Sequence, residues 1–506
     1  MNTKMSVSCT SAVPTRRMVL ALLASLGAGC GGVAESAEGA EGAAAPVNAI
    51  YPQISSGPVG DPMPHSFNGR VHIFYLYDGP TGGEAFHPWY QASTGDFIGY
   101  SDHGEALAVV QDRSSREFAL GTGSVIQVGD TYHAYYTGFN NRLNPFEAIL
   151  HASSKDLVQW TKHPEHTFYA PSGYERNDFR DPHVIRVDEK GEYWMLLTAR
   201  SRGRGVIAKL VSRDLVKWED GGILFVNDDA YKADANLECP TLFKIGDTWY
   251  LSFSDQWPTR RTQYRLSKSI DGPFKKPKRF ALDGAGFYAG KVVQHAGLNY
   301  LMGWVPRKAL QKDSGDFLWG GNLVVHQLSQ QADGTLAVRV PDPIRSLFES
   351  ATATQTSLET VVLQGIGSSS KSQGVFGDDV RAVYRIAGKF RPDPGSTGSF
   401  GLEFGVKPSG GRTNLVFDAS DKLLKFFNVP LSRAKESKPQ AQTEIEISSM
   451  LNFEIYINGS VAVMYVDGTY AFSSRMYGLL GGEWRVFAEN AHVELSDLKV
   501  SRVNLN

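Results

Sequence analysis

The stretch Asn177-Asp178-Phe179-Arg180-Asp181-Pro182-His183-Val184-Ile185-Arg186-Val187 decides the fold. An acid, Asp181, stands between a guanidinium and a proline at the mouth of an apolar run. A turn at Asp188–Gly191 follows, and then Glu192-Tyr193-Trp194-Met195-Leu196-Leu197-Thr198. That is the pattern of a β-hairpin. The unit recurs: Asp61-Pro62 precedes a turn at Asn68-Gly69 and the strand Val71–Leu76, and Glu238-Cys239-Pro240 precedes Gly246-Asp247 and Trp249–Phe253. The acids Asp61, Asp181 and Glu238 lie 8 to 10 residues before their turn glycines, so equivalent places in a repeat are expected for them.

Turn-then-aromatic-strand units occur five times, with turn glycines Gly69, Gly129, Gly191, Gly246 and Gly297 spaced 60, 62, 55 and 51 residues apart. A second marker runs with them: Ser154-Lys155-Asp156-Leu157-Val158-Gln159-Trp160 and Ser212-Arg213-Asp214-Leu215-Val216-Lys217-Trp218, with weaker copies at Thr94–Phe97 and Ser269–Gly272. It reads as a structural turn rather than a site. Repeats of this length with several strands each predict a five-bladed β-propeller over residues 51–348. From about Ala351 to residue 506 the pattern changes to alternating strands with turns at Asn458-Gly459 and Asp467-Gly468, which predicts an antiparallel β-sandwich. Gly367–Gly374, rich in Ser and Gly, reads as a loop within it. No helix-period run is apparent beyond the N-terminal segment, so the fold class is all-β.

The first 30 residues read as a signal peptide. Thr15-Arg16-Arg17 precedes the apolar run Met18–Leu26, too short to span a bilayer, and the arginine pair resembles a twin-arginine export signal. Leu26-Gly27-Ala28-Gly29-Cys30 resembles a lipoprotein cleavage site, and a lipid anchor at Cys30 is the one membrane attachment expected. Residues 31–50, rich in Ala, Glu and Gly, read as a flexible linker. The expected location is exported: periplasmic, extracellular or anchored at the cell surface. With 51 Lys plus Arg against 53 Asp plus Glu, nothing points to nucleic acid. Of three cysteines only Cys239 lies beyond this region, so no internal disulfide is expected.

In a propeller the first strand of each blade lies nearest the axis, and Asp61, Asp181 and Glu238 are expected to line one end of the central funnel. Crowded carboxylates repel, so one of them holds a proton at neutral pH. A protonated acid beside an ionised one is the machinery of glycoside cleavage. Metal binding is the competing use of clustered carboxylates, but no His/Cys spacing or Asp-rich loop supports it, and neither metal nor cofactor is expected.

The chain resembles glycoside hydrolase family 32, the β-fructosidases that include invertases, inulinases and levanases. Arg180-Asp181-Pro182 and Glu238-Cys239-Pro240 match the family's Arg-Asp-Pro and Glu-Cys-Pro motifs. Trp89–Phe97, Phe287–Lys291, Met302-Gly303-Trp304 and Trp319-Gly320-Gly321 resemble further family stretches. The likeness runs from about residue 52 to the C-terminus and implies a propeller followed by a sandwich. It also implies roles: Asp61 as nucleophile, Glu238 as general acid and base, and Asp181 as stabiliser of the transition state. Arg180, Trp89, Ser124, Trp304 and Trp319 are the residues expected to contact sugar, and His87 and His183 are expected to be structural. Departures are the family's Trp-Met-Asn-Asp-Pro-Asn-Gly, here Pro58–Pro64 with Gly60 and Met63 in place of both asparagines, an expected glutamine replaced by Leu76, and Gly121-Thr122-Gly123-Ser124 in place of Phe-Ser-Gly-Ser. They bear on sucrose as substrate more than on the chemistry.

The expected function is a retaining β-fructofuranosidase-like hydrolase of a sucrose-type or fructan-type carbohydrate, with the carbohydrate as sole partner. Alternatives are an inverting furanosidase or xylosidase of a related five-bladed family, a fructosyltransferase, and a glycan-binding protein without turnover.

Overall fold

The computed structural model describes residues 47–505 apart from 231, 258, 366, 378, 380, 407–412, 430 and 435. The expected signal and most of the linker lie outside the described residues. Five antiparallel blades follow in chain order. Blade 1 is Val59–Phe67, Arg70–Tyr77, Trp89–Thr94 and Gly99–Leu107, and blade 2 is Ala119–Val128, Thr131–Phe139, Glu147–Ser154 and Trp160–Lys162. Blade 3 is Arg180–Val187, Glu192–Ser201, Arg204–Ser212 and Glu219–Val226. Blade 4 is Leu237–Ile245, Thr248–Asp255 and Thr262–Ser267, and blade 5 is Tyr288–His295, Leu298–Lys308, Phe317–Gln330 and Leu336–Arg339. One bridge, Gly321 to Val59, joins blade 5 to blade 1 and closes the ring.

The repeats in the sequence have physical causes. All five turn glycines have positive φ, between 54° and 76°, at the tip of the first hairpin of each blade. In the Asp-Leu marker, Asp156 Oδ1 accepts the N–H groups of Val158 and Gln159 at 2.8 Å, and Asp214 Oδ1 accepts those of Val216 and Lys217 at 2.9 and 2.8 Å. Leu157 and Leu215 take φ of 65° and 63° and are buried, so the turn is pinned by a carboxylate and a core leucine. The weaker copy follows suit, with Asp96 Oδ1 accepting from Ile98 and Gly99 at 2.9 Å.

Each innermost strand carries a β-bulge at one level. Two residues stand opposite one between Gly60 and Met63, Leu120 and Gly123, Arg180 and His183, Glu238 and Thr241, and Tyr288 and Lys291. A bulge re-aims side chains and commonly borders an active site. Pro62, Pro182 and Pro240 each take the second bulge position, where the ladder needs no N–H. This register corrects the expectation of three equivalent acids. Asp61 and Asp181 share the first bulge position with Gly121, Cys239 and Ala289, whereas Glu238 precedes its bulge, in the place of Gly60, Leu120, Arg180 and Tyr288.

The helix Asp342–Leu347 leads from the propeller to two packed sheets, of seven and six strands. The segment read as a Ser/Gly loop is largely a strand, Ser368–Val375, paired with Glu483–Glu489. Its backbone bonds at a sheet edge override the weak strand propensity of serine. Asp467 and Gly468 have φ of 50° and 56°, as a type I′ hairpin requires. Val461, Val463, Tyr465 and Ala471 of the sandwich share one apolar cluster with Leu301, Val305 and Val338 of blade 5, so propeller and sandwich form one unit.

Candidate active site

The bulges turn their side chains into a cavity of about 280 Å³ at one end of the propeller axis, lined by Asp61, Glu147, Arg180, Asp181 and Glu238 among others. Asp61 is held at both oxygens: Thr122 Oγ1 donates to Oδ2 at 2.6 Å and Trp304 Nε1 to Oδ1 at 3.0 Å. An indole N–H can only donate, so this cradle fits the ionised carboxylate. Burial nevertheless raises the Asp61 pKa; Thr122 and Trp304 pull it down, and neighbouring Asp181 pushes it up.

Glu238 faces a different set. Arg180 Nη2 donates to Oε1 at 2.7 Å, and the Tyr288 hydroxyl donates to Oε2 in a short contact. Burial raises the Glu238 pKa, Arg180 and Tyr288 oppose, and Asp181 adds to the rise. Asp181 is anchored at Oδ2, which accepts from Thr198 Oγ1 at 2.9 Å and from the Cys239 N–H at 3.0 Å. Its own N–H donates to Thr137 Oγ1 at 2.9 Å.

Arg180 is the cation of the cavity. It meets Glu238, Asp178 at 2.8 Å and Glu147 at 3.2 Å. Glu147, at the start of the third strand of blade 2, also accepts the Phe179 N–H at 2.8 Å, and burial raises its pKa against the pull of Arg180. For Asp178 burial again pushes upward, but Arg180 and Asn236 outweigh it and the pKa is lowered.

The residues expected to contact sugar separate into two groups. Arg180 and Trp319 line the cavity, and Trp319 stacks on His87 with centroids 4.2 Å apart. Trp304 is fully buried and meets the site through Asp61. Trp89 and Ser124 are not brought to the wall. Trp89 is buried in the core between blades 1 and 2 and donates to the Gly121 carbonyl at 2.9 Å. Ser124 Oγ accepts the Val184 N–H at 3.0 Å, tying blade 2 to blade 3. His87 borders the cavity, whereas His183 is half-buried one place beyond the blade 3 bulge. Sequence reasoning missed Glu147, Phe86, Phe139 and Trp257, all of which line the cavity. An acid at the mouth of a third strand was a signal available for Glu147, whereas the others sit on connections and strand ends whose direction a repeat does not give.

The departures from the family pattern have structural counterparts. Gly60 lies under the Trp319 ring: a Cβ there would be 2.0 Å from Cη2. Leu76 lines the cavity, and Met63 is buried in the core.

The family model for the glycosyl hydrolases family 32 N-terminal domain matches residues 58–336. The chain is 26% identical to a sucrose-6-phosphate hydrolase of Escherichia coli over 461 residues, covering 85% of this chain and 90% of that protein. It is 26% identical to the Vibrio alginolyticus sucrose-6-phosphate hydrolase over 302 residues, 55% of this chain and 59% of that protein. Among solved structures, fructan 1-exohydrolase IIa from Cichorium intybus superposes with a TM-score of 0.70 at 18% identity, covering 90% of this chain and 96% of that one. A Bombyx mori β-fructofuranosidase gives 0.65 at 22% identity, covering 91% and 94%. These structures share the propeller-and-sandwich fold. With more than half of its length matched by the family model, and with the two motif acids turned into one cavity, the chain belongs to glycosyl hydrolases family 32.

Proposed function

We propose that the protein is a retaining β-fructosidase that cleaves fructosyl linkages by double displacement. The observation that carries this reading is two acids in one cavity with different partners: Asp61 is held by a hydroxyl and an indole N–H, and Glu238 by the Arg180 guanidinium and the Tyr288 phenol. Asp61 Oδ attacks the anomeric carbon as Glu238 gives its proton to the leaving oxygen. Glu238 then takes a proton from water, and that water releases the sugar from Asp61 with configuration retained. Asp181 and Arg180 hold sugar hydroxyls.

The bacterial relatives are named for a phosphorylated sucrose. Arg180, however, already meets four carboxylates, and no lysine is among the described residues that line the cavity. We therefore read the substrate as unphosphorylated. Phe86, Phe139, Trp257 and Trp319 make an aromatic rim suited to stacking on sugar rings, and Leu76 offers no hydrogen bond, which favours a fructan end over sucrose. The N-terminal Arg16-Arg17 segment supports action outside the cytoplasm, with Cys30 as the anchor point. Intact mass of the native protein tests that; a full-length mass in the cytosolic fraction would sink it.

The test of function is a panel of inulin, levan, sucrose, sucrose 6-phosphate and aryl fructofuranosides, with the first-formed anomer followed by NMR. Release of fructose with retained configuration, faster from fructans than from the 6-phosphate, is expected. An inverted first product overturns the mechanism, and binding without turnover overturns the activity.

A further inference from the structure

Blade 2 gathers a second set of ligating side chains away from the cavity. His133 and His151 stand on its second and third strands, and the pairing of His133 with Ser153 and of Tyr135 with His151 puts them on one face. The His163 N–H donates to the His151 carbonyl at 2.9 Å, which brings the end of the edge strand alongside. A single turn, Pro164–His166, then folds Glu165 and His166 back over the same place. His151 stands four residues beyond Glu147, about 13 Å along an extended strand.

The side-chain atoms converge. His151 Nδ1 is 2.8 Å from His166 Nδ1, His163 Nδ1 is 3.3 Å from Glu165 Oε1, and His166 Nε2 is 3.8 Å from the same oxygen. One ligating atom each from His163, Glu165 and His166 can be chosen so that all lie within 4.8 Å of one another. The far nitrogens have partners of their own: His163 Nε2 meets Ser153 Oγ at 2.8 Å, and His166 Nδ1 meets His151 Nδ1 at 2.8 Å, His151 being held in turn by His133 Nδ1 at 3.0 Å. A ring fixed through its second nitrogen is the usual state of a metal-ligating histidine. Two nitrogens on one tetrahedral zinc ion stand about 3.3 Å apart, so small side-chain movements bring these groups onto a common ion. His163 and His166 are partly exposed and Glu165 is 63% exposed at its side chain, which leaves a way in from solvent.

We propose that His163, Glu165 and His166 form a site for a divalent transition-metal ion of the zinc class, with Ser153 and His151 orienting the two ligating rings and His133 holding His151. Imidazole with one carboxylate suits zinc, copper and nickel over magnesium or calcium. The ion joins the end of the edge strand of blade 2 to the turn Pro164–His166, and takes no part in the chemistry of Asp61 and Glu238. The three ligands are local in sequence, within His163-Pro164-Glu165-His166, and the turn Pro164–His166 is what folds them onto one place.

The experiment uses the full chain purified without a polyhistidine tag, stripped with chelator and titrated with zinc sulfate alone, with bound metal counted by elemental analysis. About one zinc per chain is expected, with the thermal midpoint rising as zinc is added. The double variant His163→Gln/His166→Gln, and separately Glu165→Ala on the exposed turn, should weaken binding by about tenfold or more and lose the midpoint shift. Metal-free parent and variants should hydrolyse fructosides alike, which shows that the variants fold. No bound zinc in the parent, leaving a histidine network held by hydrogen bonds alone, overturns the proposal. Equal zinc binding by parent and by the folded variants overturns it as well.

Discussion

Two of the regions that bury charged groups treat them in opposite ways. Where the sandwich meets blade 5, each charge ends on fixed partners. Asp283 accepts from the Ser473 N–H at 2.8 Å and from the Ser473 hydroxyl, and pairs with His326 at 3.0 Å. Arg475 donates to the carbonyls of Val305 at 2.8 Å and Pro306 at 3.0 Å and to Asn322 Oδ1 at 2.7 Å. At the cavity, four carboxylates, Glu147, Asp178, Asp181 and Glu238, share the one guanidinium of Arg180, Asp61 has only neutral donors among the described residues, and burial raises the pKa of Asp61, Glu147 and Glu238. A balanced buried network holds two parts of a fold together; an unbalanced one stores the acid–base difference that catalysis uses.

The largest expected effect breaks the cavity side of this contrast. Asp61→Ala should lower the catalytic constant by ~10⁴-fold or more, because no covalent intermediate forms. Its thermal midpoint should hold or rise, since a repelling charge is removed. Near-normal turnover in this variant would refute the nucleophile. Glu238→Ala comes next, with a loss of ~10²–10⁴-fold on ordinary fructosides. The loss should be smaller on activated aryl fructosides, where azide added to the assay should restore part of the rate. Equal losses on both substrate kinds would remove Glu238 from the role of acid.

The third test breaks the other region. Asp283→Ala strands His326 and the Ser473 N–H inside the interface and should cost about 3–5 kcal/mol of stability, while the folded fraction keeps its catalytic constant. Denaturant melts and active-site titration check the two halves; lost turnover in the folded protein would mean that the regions are coupled. The smallest effect sharpens the comparison. The Tyr288 hydroxyl favours the ionised form of Glu238 and so opposes the rise that burial causes. In Tyr288→Phe the Glu238 pKa climbs further, and the alkaline limb of kcat/KM, where activity needs protonated Glu238, should move to higher pH. A limb that stays or moves down would mean that another group sets it.

The propeller was legible because its turns are built from local chemistry. Gly69 and its four counterparts, and the Asp-Leu turns, repeat for reasons contained in a few residues each. The acids were legible as a set, but the place of Glu238 was not, since a bulge shifts phase by one residue and only the partner strand reveals it. Trp89 opens the third strand of blade 1 and Ser124 lies on the first strand of blade 2, yet their side chains point between blades, which alternation along a bulged strand hides. Thr122 and Trp304 reach Asp61 from blades 2 and 5, so their role exists only once the ring is closed. Ser368–Val375 pairs through backbone groups, to which composition is nearly blind.

Cys239 sits in the blade 4 bulge, 2% exposed, with burial holding its thiol pKa well above the ordinary value. Such a sulfur reacts with an alkylating reagent only in the moments when the innermost strand of blade 4 lifts away. In a chain freed of Cys9 and Cys30 it is the sole thiol, so the rate of labelling becomes a clock for the breathing of the cavity floor. A bound sugar slows that clock in proportion to its occupancy, and the affinity of an unreactive ligand can be read from a stopwatch and a mass spectrometer, with no turnover at all.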